Sequence, residues 1–119
     1  MTPIEQYPAS ELKTPEEFLR VGWTLQAGGQ YEAAEKSFRK ALDLQPNSID
    51  SYYALGLSLK AQDRREETIQ AFQTVVSLLD KDKDVGASRR TMLHRLALGH
   101  INMLKQGDWN LEKEIWQKR

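Results

Sequence analysis

Two histidines, His94 and His100, are the residues of this chain best suited to acid–base or metal chemistry, and they lie six positions apart. On a helix, six positions correspond to about 600° of rotation, so the two imidazoles do not share a face as a zinc-binding pair at i and i+4 would. Cysteine is absent, which excludes disulfides, thiolate nucleophiles and cysteine-ligated metals. We therefore predict no metal site, and we expect both histidines to be surface or packing residues.

Acidic pairs and a glycine pair give no better support for catalysis. Adjacent glutamates such as Glu16 and Glu17 usually form solvated helix faces or interact with the positive N-terminal end of a helix, and nothing indicates a cleft that would raise their pKa. Gly28 and Gly29 are not followed by the glycine–lysine–serine ending of a phosphate-binding loop. The sequence thus predicts a protein that is not an enzyme and that needs no cofactor.

Positive and negative charges are balanced, with 17 lysines and arginines against 17 aspartates and glutamates. A neutral chain has no net attraction for nucleic acid or for an anionic membrane surface. Arg89, Arg90 and Arg95 form the densest positive group, which could contact phosphate or an acidic peptide, but no longer basic face accompanies it. We expect neither a nucleic-acid partner nor a membrane partner.

Targeting signals are not readable in the sequence. Residues 1–8 do not combine a basic segment with an apolar one, as a secretory signal would. The longest apolar candidate, residues 75–79, is far shorter than the roughly 20 residues of a membrane helix. We therefore expect a soluble, cytoplasmic protein.

Apolar residues recur at three- and four-residue steps along most of the chain, and no stretch alternates with a period of two. This pattern predicts an all-α protein. The first helix is expected to begin after Thr14, because Thr14 can cap the free N–H groups of a first turn and Pro15 suits the first helical position. Glu17, three residues after the cap, can complete a capping box.

Breaks in this pattern separate the further helices. The glycine pair at 28–29 predicts the end of the first helix, and Pro46 predicts the end of the second. Asn47 or Ser48 can cap the third helix. The charged stretch 80–84 is expected to be a solvated connector.

An internal repeat relates two parts of the helical pattern. A spacing of 34 positions recurs in three pairs of residues: Gly22 and Gly56, Leu25 and Leu59, and Phe38 and Phe72. In each unit the residue seven positions after the glycine, Gly29 or Asp63, is expected to lie in the turn between the two helices. The spacing equals the period of tetratricopeptide repeats, in which two helices form a unit of about 34 residues.

The first unit resembles the tetratricopeptide repeat (TPR) family closely. The resemblance rests on seven positions: Gly22, Gly29, Tyr31, Ala34, Phe38, Ala41 and Pro46. In such a repeat the small residues Gly22 and Ala34 let paired antiparallel helices approach. Tyr31 and Phe38 would fill the space between helix pairs.

The later units depart further from the family pattern. The second unit keeps Leu55, Gly56, Leu59 and Phe72. It has Asp80 where the family has a proline, so its second helix is expected to run long. In a third unit, Gly99 lies nine positions beyond the period, and the first helix is predicted over about 88–106.

The resemblance implies an all-α, right-handed superhelix of stacked antiparallel helix pairs, about three pairs with the last one irregular. An irregular N-terminal arm would cover residues 1–14, and the repeat domain would cover residues 15–119. Its units would span about 15–48, 49–82 and 87–119. Another helical repeat or an unrelated helical bundle would be the alternatives to this fold.

By the same resemblance, the first helix of each unit lines a concave groove. The groove-facing positions are the second, fifth, ninth, twelfth and thirteenth of each repeat. They correspond to Glu16, Leu19, Trp23, Gln26 and Ala27, to Asp50, Tyr53, Leu57, Lys60 and Ala61, and to Leu93, Leu96, His100, Met103 and Leu104. An exposed apolar stripe of this kind invites a protein partner.

The groove therefore predicts a non-enzymatic scaffold that binds a peptide or a helix of a partner protein. The predicted partner-binding side chains are Leu19, Trp23, Tyr53, Leu57, Leu96 and His100, with Glu16, Asp50 and Lys60 as charges that set orientation. The family's carboxylate clamp is not expected here. Leu19, Trp23 and Ala54 occupy positions where that clamp has lysine and asparagine.

These surfaces have two other interpretations. The groove could be filled by the chain itself, through the third unit, the arm or the last helix. That last helix carries Leu111, Ile115 and Trp116 on one side, and it could cap the open end of the repeat stack. The groove or the last helix could also form a homodimer.

Overall fold

The computed structural model describes residues 12–106 of the chain, and within that range it contains five α-helices and no strand. The helices are α1 (Pro15–Ala27), α2 (Tyr31–Leu44), α3 (Ile49–Ala61), α4 (Arg65–Lys81) and α5 (Ala87–Gln106). Each helix packs against the next one in the sequence. The prediction of an all-α protein is confirmed for these residues. Residues 1–11 of the predicted arm and the last helix with Leu111, Ile115 and Trp116 lie outside the described residues.

The first helix begins where the sequence predicts it. Thr14 is the N-cap of α1, and its Oγ1 accepts a hydrogen bond from the Glu17 N–H at 3.1 Å. The Glu17 carboxylate accepts in return from the Thr14 hydroxyl at 3.0 Å and from the Lys13 N–H at 3.4 Å. Ser48 caps α3 in the same way, since its Oγ accepts from the Ser51 N–H at 3.2 Å. These bonds satisfy N–H groups that a helix start leaves without partners.

The turns of the first two units have the same backbone conformation. Gly29 has φ 79° and Asp63 has φ 58°, and the two residues are one repeat period apart. Both lie in the left-handed region, which glycine adopts readily and a short polar residue such as aspartate tolerates. The prediction that these two residues lie in the turns is confirmed.

The two glycines of the repeat lie where a first helix and a second helix come closest. A Cβ added at Gly22 would overlap the Phe38 ring, and one added at Gly56 would lie 2.8 Å from Phe72 Cζ. Both phenylalanines are fully buried. The repeated spacing of glycine and phenylalanine therefore reflects one packing contact that is made twice.

The core consists of two clusters, one on each side of α3. Buried side chains of α1, α2, α3 and α4 form the first cluster: Val21, Leu25, Ala34, Phe38, Ala54, Leu55, Leu59 and Ala71. Buried side chains of α3, α4 and α5 form the second: Ile49, Ile69, Phe72, Val75, Leu79, Leu93, Ala97 and Ile101. Tyr31 was expected to fill the space between helix pairs, but it is 38% exposed. Of Tyr31 and Phe38, the two aromatic residues expected there, only Phe38 is fully buried.

The second helix of the second unit runs long, as the missing proline predicts. Helix α4 has 17 residues against 14 in α2. Asp80 and Lys81 are helical, so the predicted connector is corrected to begin at Asp82. The buried Leu79 explains the extension, because the helix must continue to this residue to place its side chain in the core. The Arg90 guanidinium donates to the Leu79 carbonyl at 2.6 Å and also to the Asp82 carbonyl, which satisfies the end of α4.

Candidate partner-binding surface

Helices α1, α3 and α5 carry all the predicted groove residues, and these residues form what we call the first-helix face. On α1 the face is partly open. Trp23 is 41% exposed, and its ring meets the edge of the buried Phe38 ring with centroids 5.5 Å apart. Leu19 is half-buried against the first core cluster, and Glu16 is exposed. The indole is therefore held by one aromatic contact while a large part of it faces solvent.

On α3 the same face is covered by the protein itself. Tyr53 and Leu57 are half-buried and pack against the second core cluster, which includes side chains of α5. The Tyr53 ring contacts the Phe72 ring edge-on, with centroids 5.4 Å apart. The chain thus fills the part of the face between α3 and α5.

Two predicted groove residues of α3, Tyr53 and Lys60, contact a third one, His100 of α5. The Tyr53 hydroxyl lies 3.3 Å from His100 Nε2, and the Lys60 ammonium lies 3.2 Å from His100 Nδ1. The imidazole stacks on the Phe72 ring with centroids 4.6 Å apart and an angle of 11° between the planes. Because an ammonium group only donates, Nδ1 must be the acceptor, and the neutral imidazole then carries its proton on Nε2 and donates to Tyr53.

The electrostatics of this cluster favour neutral side chains. His100 is only 9% exposed, and burial together with the neighbouring Lys60 charge lowers its pKa to about 4. Burial also raises the pKa of the Tyr53 hydroxyl above its usual 10. At neutral pH both rings are therefore uncharged, and His100 acts as a packing residue that joins α5 to α3 and α4.

Two of the other charged groups predicted to act at the surface are engaged in contacts between helices. Asp50 forms an ion pair with Arg89, which ties the start of α3 to the start of α5. Arg90 is bound to the carbonyls at the end of α4. Two of the three guanidinium groups in the densest positive group of the sequence thus have structural partners. Leu96, the last of the nine predicted partner-binding residues, is half-buried.

A further surface feature lies along the first half of α5. A concavity of about 690 Å³ is lined by Ala87, Ser88, Thr91, Met92, Arg95 and Leu96. Met92 is 53% exposed there, the largest exposed fraction of any large apolar side chain among residues 12–106. The repeat pattern predicts Leu96 as a groove residue but not Met92, because the register of the third unit places Met92 off the groove positions.

A polar network surrounds Glu35 of α2 and was not predicted from the sequence. Glu35 of α2 accepts from Arg39 Nε at 2.8 Å, from Gln62 Nε2 at 3.1 Å and from Arg64 Nη1 at 2.5 Å. Arg64 also pairs with Glu67 at 2.6 Å. Burial raises the pKa of Glu35, but the hydrogen bonds from Arg39 and Gln62 outweigh this effect, so the net pKa lies below 4.5. The spacings of Glu35 to Arg39 and of Arg64 to Glu67 were the available signals for this network.

Residues 12–106 contain neither a metal-binding cluster nor a membrane-spanning helix. No group of three or more histidine, aspartate and glutamate side chains there could hold a metal ion. None of the helices in that part of the chain is both long and apolar enough to cross a lipid bilayer.

The comparisons with known proteins agree with the repeat geometry. Residues 24–63 match a family described as TPR repeat, and residues 50–78 match a family described as tetratricopeptide repeat. The matched span includes α2 and α3 in full and ends before α5. No match was found among curated proteins or among solved structures. TPR repeats are in general modules for protein–protein interaction. The two repeat matches over residues 24–78, on helix pairs that make the same contact between glycine and phenylalanine, support a protein of the tetratricopeptide-repeat family.

Proposed function

We propose that the chain is a non-enzymatic interaction scaffold, in which the first-helix face forms a concave groove that binds a helix or an extended segment of a partner protein. The observation that carries this proposal is the exposure of Trp23. A tryptophan that is 41% exposed beside a buried phenylalanine offers a partner a large, rigid apolar surface. Leu19, one helical turn away, widens the same surface.

The proposed contact is narrower than the groove expected from the sequence. Tyr53, Leu57 and His100 already pack against each other's helices, so they shape the groove more than they offer free apolar area. The open part lies on α1, with Glu16 at one end and Trp23 near the middle. We place the partner's main apolar anchor on Trp23.

The exposed part of Trp23 is large enough to matter for affinity. It amounts to roughly 100 Å² of a tryptophan side chain, and burying it would contribute about 2 kcal/mol. We therefore expect Trp23→Ala to weaken partner binding by about tenfold or more while the helix content stays the same. Leu44→Ala is the matched control, because Leu44 is 51% exposed but lies at the end of a second helix.

Affinity capture from native lysate, with each captured protein quantified, compares the wild type with these two variants. The proposal requires proteins whose recovery falls with Trp23→Ala and not with Leu44→Ala. Equal recovery with both variants would contradict it. Unfolding of Trp23→Ala, seen by circular dichroism, would mean that Trp23 belongs to the core and does not serve as an anchor.

Self-association is a second candidate function, and the concavity on α5 favours it. Met92 is the most exposed large apolar residue among residues 12–106, and it lies beside a concavity of about 690 Å³ that a second copy could occupy. Sedimentation over a wide range of concentrations tests this candidate. A dimer that Met92→Lys dissociates would support it, and a strict monomer would exclude it.

A further inference from the structure

Lys60 is a half-buried cation that forms no ion pair with a carboxylate of residues 12–106. Its ammonium group lies 3.2 Å from His100 Nδ1, and at neutral pH this imidazole is uncharged. Among residues 12–106, no carboxylate lies within ion-pair distance of Lys60. Withdrawing a charge from water without an opposite charge nearby is unfavourable.

Three of the arginines that bridge helices are paired with carboxylates, whereas Arg90 donates to backbone carbonyls. Arg39 and Arg64 pair with Glu35 and Glu67, and Arg89 pairs with Asp50. Lys60 differs from these arginines because it lies on the first-helix face and its contact is the uncharged His100 ring. Its position in the last turn of α3 offsets part of the cost, since the negative end of the helix favours a cation.

The one acidic residue of the first-helix face on α3 lies too far away to compensate. Asp50 is in the first turn of α3, ten positions before Lys60, which corresponds to about 15 Å along a helix. Asp50 is also paired with Arg89. At physiological salt, interactions over that distance at the surface are largely screened.

A second polar side chain with an unmet interaction occupies the equivalent position of the first unit. Gln26 and Lys60 are separated by one full repeat period, so both take the twelfth position of their repeats. The Gln26 Oε1 atom is buried and accepts no hydrogen bond from the described part of the chain. Within residues 12–106, the twelfth position of the first unit thus holds an acceptor without a donor, and that of the second unit holds a cation without an anion.

We propose that the partner segment carries an aspartate or glutamate side chain that pairs with Lys60, close to an apolar side chain that packs on Trp23. This inference rests on the proposed function and adds the chemistry of the partner to it. A carboxylate at Lys60 supplies the counter-charge that residues 12–106 do not provide, and the charge-assisted hydrogen bond is stronger than one between neutral groups. The interaction does not use the positions of the family's carboxylate clamp, which here hold Leu19, Trp23 and Ala54.

The test uses a displayed library of random 12-residue peptides, selected against the full chain and eluted by competition. Peptides that lose binding to Trp23→Ala are synthesised, and their affinities are measured by fluorescence anisotropy. Each is also made with its acidic residues changed one at a time to the corresponding amide. For one acidic residue of the peptide, we expect the change to the amide to lower the affinity for the wild-type protein by about tenfold. The same change should lower the affinity for the Lys60→Met protein by less than twofold.

Two further measurements separate this ion pair from a general effect of charge. Lys60→Arg keeps the positive charge and is expected to retain the preference for the acidic peptide. Changing Glu16 to Gln, which alters the exposed acidic residue of α1, is expected to leave that preference unchanged. If Lys60→Met fails to fold, the amide-substituted peptides and the salt dependence of binding to the wild type still decide the result.

Each outcome is decisive. Peptides that depend on Trp23 but bind equally well as acid and amide would overturn this inference and leave the proposed function in place. A library that yields no Trp23-dependent peptide would overturn both. Self-association that Lys60→Met abolishes would identify a second copy of the chain as the occupant and would also overturn the inference.

Discussion

Three fully or almost fully buried serines differ in whether the hydroxyl group has a partner. Ser37 Oγ donates to the Phe18 carbonyl at 2.6 Å, and Ser58 Oγ donates to the Tyr31 carbonyl at 2.8 Å. Both bonds join helices that are separate in the sequence. Ser51 Oγ is buried without a hydrogen-bond partner among residues 12–106, although the Ser51 N–H is bound by the cap at Ser48. The same residue type thus stabilises the fold at two positions and costs free energy at a third.

Alanine substitution at these serines tests that difference. Ser51→Ala keeps the capped N–H and removes a buried hydroxyl that makes no hydrogen bond in the described part of the chain, so we expect the free energy of unfolding to rise by up to about 1 kcal/mol. Ser58→Ala removes a bond between helices and leaves the Tyr31 carbonyl with one donor fewer, so we expect a loss of about 1 kcal/mol. Urea denaturation of both variants measures the two values. Equal losses would contradict the assignment for Ser51.

At the scale of helices, the repeat unit is organised around the contact between a glycine and a phenylalanine. Gly22 in α1 faces Phe38 in α2, and Gly56 in α3 faces Phe72 in α4. Alanine usually stabilises a helix by about 1 kcal/mol relative to glycine. At these positions the added methyl group would enter space that the phenylalanine ring occupies. Packing between the helices therefore outweighs the intrinsic preference of each helix.

Gly22→Ala is expected to destabilise the fold by about 1–3 kcal/mol, because the buried Phe38 ring has to move. Gly28→Ala is the matched control, since its Cβ would stand at an ordinary 3.6 Å from the nearest atoms. We expect Gly28→Ala to change stability by less than about 1 kcal/mol. Thermal denaturation of both variants, and of the double variant Gly22→Ala/Phe38→Leu, measures the effect. A stabilised Gly22→Ala variant would contradict this view of the contact.

At the scale of the whole molecule, local patterns in the sequence were the predictable part. The cap at Thr14, the turn at Gly29 and the small residue Gly22 where two helices approach each depend on residues within one repeat unit. The contacts of His100 were not predictable in this way. They join residues 40 and 47 positions apart and depend on how α5 docks after an irregular spacing. The repeat pattern therefore could not show that Tyr53 and Leu57, both predicted groove residues, would pack against the chain itself.

The docking of α5 should depend on pH through His100. Its pKa is about 4 in the folded protein and near 6.5 in an unfolded chain, so the unfolded state binds more protons between these values. The stability that neutral His100 supports is complete above about pH 6.5 and is lost as the pH falls toward 4. We expect a loss of up to about 3 kcal/mol from this group.

Urea denaturation between pH 7 and pH 4 measures this loss, with His100→Gln as the control that cannot take up the proton. Carboxylates such as Glu35, whose pKa is also lowered, contribute to acid unfolding in both proteins, so the difference between them isolates His100. Parallel curves would mean that protonation at His100 does not weaken the contact between α5 and α3.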